Sequence, residues 1–416
     1  MKKIYFLIAM VTATVLASCT KEQEDFFSDS SANRADAAIA ANIQVLTSAT
    51  NGWLMKYYPE AQQSYGGYNL IARFSSDGTV EVISEFDSES ATSLYSVTQS
   101  AGITLTFDTY NVPIHQFSDP GAPLGGNQGT GLDGDYDFSI LSATSEQVVL
   151  KGKKTGNHIV MTPMADTNWT AYFGRVAAVE ASMLSNFYQV TIGNTNVEAA
   201  HNERTLVFNY QQDGEDVETV APYIVNPDGI EFYEPVEILG ATLKGFKYAD
   251  GSLTFDESTG SGLKLSKLKK SELELLTSSK WYVAYSLLGD YAQKYWEVMY
   301  QAEVEVGESV GYAYLNYSSG RLAMTFYSSG YVGNFYFAFT PLSDNEVTLK
   351  LQSYDSNGQW YYKYAGWNYA TAPFKGTFKL SVDDDYVPSY IILEDVEEPT
   401  NVITLSLNPV YYPFSR

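Results

Sequence analysis

The chain has 416 residues, too many for one ordinary core, with 45% hydrophobic and only 18% charged residues, which excludes a disordered tail-like protein. Its formal net charge of −24 repels phosphate backbones and anionic headgroups, which argues against nucleic acid as a partner and against electrostatic membrane docking. One cysteine excludes an internal disulfide framework, and 34 tyrosines favour strands.

Residues 1–18 have the parts of an export signal: Lys2-Lys3, an apolar run from Ile4 to Leu16, and small residues before a cut. That run is shorter than the roughly 20 helical residues that span a bilayer, so it is expected to be removed. Leu16-Ala17-Ser18-Cys19 resembles the lipobox of bacterial lipoproteins, which makes Cys19 the expected lipidation site and a lipid anchor the expected membrane partner. The charged tract Thr20 to Asp25 resembles the signal that sends Bacteroidetes lipoproteins to the outer face of the outer membrane. Residues 19–31 read as a tether.

Residues 32–262 read as an N-terminal β domain. Apolar spacing from Ala32 to Thr47 predicts a short helix ending before Asn51-Gly52. The period then changes to two: Leu70–Phe74 and Val80–Ile83 flank the hairpin signal Ser76-Asp77-Gly78. Further strands are expected at 102–108, 136–141, 147–151 and 158–161, then an interposed helix within 168–187, then strands from 188 to 255. The polar stretch 256–262 is the expected boundary to a C-terminal β-barrel-like domain, 263–416. That domain opens with a lysine-rich helix candidate over 264–277 and continues in strands, the last at 359–364.

Two stretches repeat. Leu46-Thr47-Ser48 leading to Trp53 is echoed by Leu276-Thr277-Ser278 leading to Trp281, and 138–151 is echoed by 339–350. A helix end feeding a tryptophan-bearing first strand looks like a lipocalin-type barrel start. The expected fold is therefore mainly β and antiparallel, with two β-barrel-like, lipocalin-like modules, the first enlarged by 168–255.

Asn51-Gly52-Trp53, Tyr58-Pro59, Gly66-Gly67-Tyr68, Ser93-Leu94-Tyr95, Leu105 to Asn111, His115 with Ser118-Asp119-Pro120, Leu150 to Asn157 and Tyr223-Ile224-Val225 stand in one order over residues 30–260. In these the chain resembles an uncharacterised family of Bacteroidetes lipoproteins, the domain of unknown function numbered 4302. The resemblance implies an accessory lipoprotein encoded near starch-utilisation-type uptake machinery, with uptake-complex proteins as possible partners.

No pair of histidines four apart with an adjacent glutamate and no phosphate-cradling loop is present, so neither cofactor nor catalytic residue is nominated. His115 is the single titratable residue best suited to contact a ligand. Asp133, Asp135 and Asp137 alternate, as do oxygens around calcium, but Phe138 and Thr144 break the EF-hand pattern. Their expected place, like that of Asp383-Asp384-Asp385, is a solvated face, and no metal is nominated. Lys151, Lys153 and Lys154 read as a hairpin turn. The strongest binding signal is Trp360 to Tyr369: as a strand it puts Trp360, Tyr362 and Tyr364 on one face, with Trp367 beyond, a platform of flat rings for a glycan or peptide. The expected function is a non-enzymatic, surface-exposed, accessory binding component of a nutrient-uptake system. The alternatives are a structural or protein–protein subunit of an outer-membrane complex and a hydrolase with paired carboxylates.

Overall fold

In the computed structural model, which describes residues 30–249, 252–255 and 262–411, apolar and polar positions alternate along the strands, and this period-two pattern gives each strand one inward row. The leader, Cys19 and most of the tether lie outside the described residues. The chain divides into two units, one running to Gln63 plus Tyr68–Thr170, the other Ser64–Gly67 plus Ala171–Arg416.

In the first unit, helix α1 (Ser31–Leu46) is capped by Ser30 Oγ, which accepts from Asn33 N. Eight strands follow: β1 (Trp53–Tyr57), β2 (Tyr68–Phe74), β3 (Thr79–Ser84), β4 (Ala91–Gln99), β5 (Ile103–Phe107), β6 (Asp137–Ala143), β7 (Val148–Gly152) and β8 (His158–Pro163). Each is antiparallel to the next, and β1 pairs with β8, closing a barrel. Asp77 Oδ1 accepts from Thr79 N, and Gly78 takes φ +86°, so the β2–β3 turn forms as its sequence predicts. Helix α2 (Val112–His115) lies in the β5–β6 connection.

Helix α3 (Trp169–Ser182) leads into a second barrel of β9 (Phe187–Ile192), β10 (Thr195–Asn202), β11 (Thr205–Gln212), β12 (Glu215–Asn226), β13 (Gly229–Ile238), β14 (Ala241–Ala249), β15 (Ser252–Phe255) and β16 (Lys264–Lys267). Helix α4 (Glu272–Ser278), with a Ser271/Glu274 capping box, leads into a third. Its strands are β17 (Trp281–Leu288), β18 (Val310–Ser318), β19 (Arg321–Ser328), β20 (Tyr331–Ser343), β21 (Glu346–Tyr354), β22 (Gly376–Val382), β23 (Tyr390–Asp395) and β24 (Val402–Ser406). Helix α5 (Asp290–Glu305) joins β17 to β18; α6 (Ser356–Tyr364) and α7 (Trp367–Ala370) join β21 to β22.

The antiparallel β class stands, but the number of barrels does not: among the described residues three closed eight-stranded barrels and seven α-helices replace two modules with a short N-terminal helix, one interposed helix and the lysine-rich helix candidate. The segment 168–255 is no enlargement of the first module. It supplies seven strands of its own barrel, and β16 pairs with both β15 and β9 to close it. The boundary expected at 262/263 therefore falls inside the β15–β16 connection, and the lysine-rich helix expected over 264–277 is a strand followed by a shorter helix.

One half of the internal echo is a structural equivalence. Trp53 and Trp281 are each the buried first residue of a first strand, and each indole N–H donates to a carbonyl of the preceding helix: Trp53 Nε1 to Leu46 O at 2.7 Å, Trp281 Nε1 to Leu275 O at 3.0 Å. Carbonyls of a last helical turn lack intrahelical partners, so the indole satisfies one and fixes the helix to the barrel mouth. The other half is coincidence of sequence, since 138–151 forms the sixth and seventh strands of its barrel while 339–350 belongs to the fourth and fifth.

Successive antiparallel strands put odd-numbered connections at the rim opposite the one where the chain enters. In the first barrel the near-rim turns are tight, while the far rim carries the long β5–β6 connection, from which Ile114 and Phe117 are buried. In the third, α5 to α7 all belong to the far rim. There Trp296 Nε1 donates to Ala370 O at 3.0 Å, and the Trp367 ring stacks on Phe326 at 4.2 Å. Rings thus fill these barrels, and ligand-sized openings lie at their rims.

Trp53→Phe and Trp281→Phe keep the ring volume largely in place and remove the donor. Trp53→Phe is expected to lower unfolding stability by about 1–3 kcal/mol, the cost of a buried carbonyl left unpaired, and Trp281→Phe by less because Leu275 O still accepts from Ser278 Oγ at 3.4 Å, both read as a shifted urea midpoint.

Candidate functional site

The Trp360 stretch is helical. Asp355 Oδ1 accepts from Gly358 N at 2.7 Å, an N-cap bond, while Asp355 Oδ2 accepts from Asn334 Nδ2 at 2.8 Å and ties the cap to β20. This capping signal overrides the strand propensity of the aromatic residues, and it redistributes the rings. Trp360 and Tyr364, one turn apart, face outward, 41% and 61% exposed, with ring centroids 5.7 Å apart. Tyr361 points into the barrel. Tyr362 is half-buried against Tyr354 and Phe335, under the Lys375 ammonium. Trp367, expected among the ligand-binding rings, is fully buried in the core.

A cleft of about 260 Å³ opens beside Trp360, lined by Glu308, Tyr331, Asn357, Trp360 and Tyr361. Tyr331, at the start of β20, is 55% exposed. Tyr361 Oη donates to Glu308 Oε2 at 2.6 Å, and burial together with the Glu308 carboxylate raises its own pKa, so the phenol stays protonated and holds the acid in place. Asn357 Nδ2 donates to Val332 O at 2.7 Å.

Behind this cleft Glu303, on α5, is fully buried and accepts from Trp367 Nε1 and, at 3.0 Å, from Ser328 Oγ. Desolvation pushes its pKa up to about 7 despite those two hydrogen bonds. Neither α5 nor Glu303 is anticipated from the sequence. The available signal is the spacing Ala292, Trp296, Met299, Glu303, a buried stripe at helical period with an acid as its last member.

His115 lies in a second cleft, in the first unit. Its ring stacks on Tyr136 at 4.9 Å and meets Tyr110 in a tilted contact at 5.2 Å, and burial lowers its pKa, which favours the neutral imidazole. The two clefts share no residue.

The acidic triplets have structural roles. Asp135 is buried, not solvated: its oxygens accept from Lys154 N, Thr155 N and Thr155 Oγ1, holding the β7–β8 turn, while Asp133 pairs with Lys154. Asp383 and Asp384 accept from backbone N–H groups of 386–390, and Asp385 pairs with Lys269. Among the described residues no group of three or more His, Cys, Asp or Glu side chains could hold a metal ion. Sequence reading overlooks the spacing Gly307-Glu308-Ser309-Val310-Gly311, that of a serine elbow. It runs from helix α5 into strand β18, the reverse of the strand–turn–helix order that exposes such a serine.

These features define a multi-barrel antiparallel β protein with aromatic clefts at barrel rims. The chain belongs to the family described as domain of unknown function, DUF4302, which matches residues 23–250, more than half of its length. The match spans the first barrel and most of the second; the third, with the Trp360 cleft, lies beyond it. No curated protein matches significantly. Solved structures similar to it include the DNA polymerase β subunit of Streptococcus pyogenes, at 11% identity over 90% of this chain and 98% of that one, with a TM-score of 0.15. The sliding clamp of Caulobacter crescentus shows 10% identity, the same coverages and a TM-score of 0.13. A double mutant of transferrin binding protein B from Haemophilus parasuis shows 8% identity over 85% and 73%, also at 0.13. Likenesses this slight carry no argument.

The raised acid gives a pH signature. Because Glu303 binds its proton more tightly folded than unfolded, its contribution to stability is full below about pH 4.5, falls as pH rises, and is lost above about pH 7. Glu303→Gln is expected to remove a decline of roughly 3 kcal/mol across that window, seen in urea unfolding monitored by tryptophan fluorescence.

Proposed function

We propose that this chain is an outer-membrane lipoprotein, anchored through Cys19 and displayed on the cell surface. It acts as a non-enzymatic accessory binding component of a nutrient-uptake system and holds a sugar ring of a glycan in the Trp360 cleft. The observation that carries the binding role is the pair of exposed rings, Trp360 and Tyr364, set beside an acid that a buried phenol holds in position. A sugar presents an apolar C–H face and a rim of hydroxyls. The rings suit the face, and Glu308 with Asn357 suits the hydroxyls. At about 260 Å³ the cleft is of single-ring size. A binding role is favoured over hydrolysis because the nearest partner acid in this network, Glu303, is buried in the packing instead of facing Glu308 across the opening. The lipobox, the acidic tether and the family resemblance support the anchor and its address.

A glycan array probed with the mature chain is expected to return specific binders. Trp360→Ala and Tyr364→Ala should each weaken binding about tenfold or more with unchanged thermal unfolding. Absence of binding to every glycan would sink the sugar reading in favour of a protein partner. Cys19→Ser is expected to abolish acyl labelling and move the protein to the soluble fraction. Protease added to intact cells should digest the wild type, and full protection would rule out surface display.

A further inference from the structure

The β5–β6 connection of the first barrel builds an opening of a different chemistry. Its cleft, about 470 Å³, is lined by Asp108, Tyr110, His115, Asp119 and Tyr136 among others, and no lysine or arginine lines it. Tyr110 and Tyr136 are 63% and 42% exposed, and the imidazole between them fixes the spacing of their rings. Each carboxylate is oriented by neutral donors. Asp119 accepts from Tyr110 Oη at 3.2 Å and from Gly121 N at 2.7 Å, and Asp108 accepts from Ser96 Oγ at 2.9 Å. Neither is in an ion pair among the described residues.

Tyrosine faces carry negative potential, and carboxylates beside them add to it, so the combination attracts a desolvatable cation far better than a neutral ring or an anion. We propose that this cleft is a second binding site, separate from the Trp360 cleft, that takes an organic ammonium group. A lysine side chain of a peptide and an amino sugar both carry this group. His115 serves as the wedge that holds the two rings apart. The floor is rigid because Asn111 N approaches His115 Nδ1 at 3.1 Å while Asn111 Nδ2 donates to Ala91 O and Ser93 Oγ.

Calorimetry of the mature chain with trilysine, with its fully side-chain-acetylated form, and with a glucosamine trimer tests the site. Trilysine or the glucosamine trimer should bind, and which of the two is tighter identifies the source of the ammonium. Acetylation of trilysine should cost at least tenfold. Tyr110→Ala with Tyr136→Ala changes no charge, so loose attraction to an acidic surface would survive it, whereas binding in the cleft should fall at least fivefold and recover in the Tyr→Phe pair. Undiminished binding in the double alanine variant, equal binding of the acetylated peptide, or no binding of either ammonium ligand would overturn the proposal. Thermal unfolding of each variant excludes loss of fold, and Trp360→Ala should leave this binding untouched.

Discussion

In each barrel the first strand hydrogen-bonds to the last, Trp53 opposite Pro163, Val190 opposite Leu265 and Tyr282 opposite Ser406. A meander of eight strands has two raw edges until that pairing forms, and raw edges are where β proteins aggregate. With a single cysteine in the whole chain, no internal disulfide can hold those edges together. Closure therefore rests on backbone hydrogen bonds and on the inward rows that they align: one residue of slip would turn every buried ring outward. The indole–carbonyl bonds of Trp53 and Trp281 pin a helix at the mouth of two of the barrels, beside the strand on which closure depends.

Closure also sorts the connections. In the first barrel those at the near rim are short, as in the Ser76-Asp77-Gly78 turn, because nothing more is needed to reverse a strand. The long ones collect at the far rim of the first and third barrels, where they fold inward as plugs, Phe117 in one and Trp296 with Trp367 in the other, and present other rings outward. The second barrel carries mostly two-residue turns and no such elaboration among its described residues. Both clefts are by-products of this division: the inner face of each connection completes a core, and its outer face is free to meet a ligand.

How far the sequence disclosed this can be read from particular residues. β4 is not singled out in the sequence, but the positions of β2, β3 and β5 to β8 follow from period-two alternation and turn chemistry, which act locally. The count of barrels did not, because β16 is four residues long and its lysines at 264 and 267 resemble a helix surface; only its pairing with β9, distant in sequence, reveals it as a closing strand. Trp360 to Tyr364 misled for a related reason. Aromatic residues suit a strand, and the decision lay with one cap, Asp355, upstream of the run. Trp367 and Trp360 look equal in sequence, yet one is core and the other surface, a difference set wholly by tertiary packing. His115 could be singled out, but not the two tyrosines that flank it, since Tyr110 and Tyr136 come together only when β5 and β6 pair. Cys19 and the leader lie outside the described residues, and their reading rests on sequence alone.

A ring sealed by its own termini sets few demands on the outer faces of its distant loops. Doubling the length of such a loop costs only about 0.6 kcal/mol of closure entropy, small beside the packing of a whole barrel. The β5–β6 and β21–β22 connections can therefore change in length or in their outward-facing residues while their buried plugs and the register of their barrels stay fixed. Two separate cleft surfaces can diversify on one chain in this way, much as variable loops do on a constant frame.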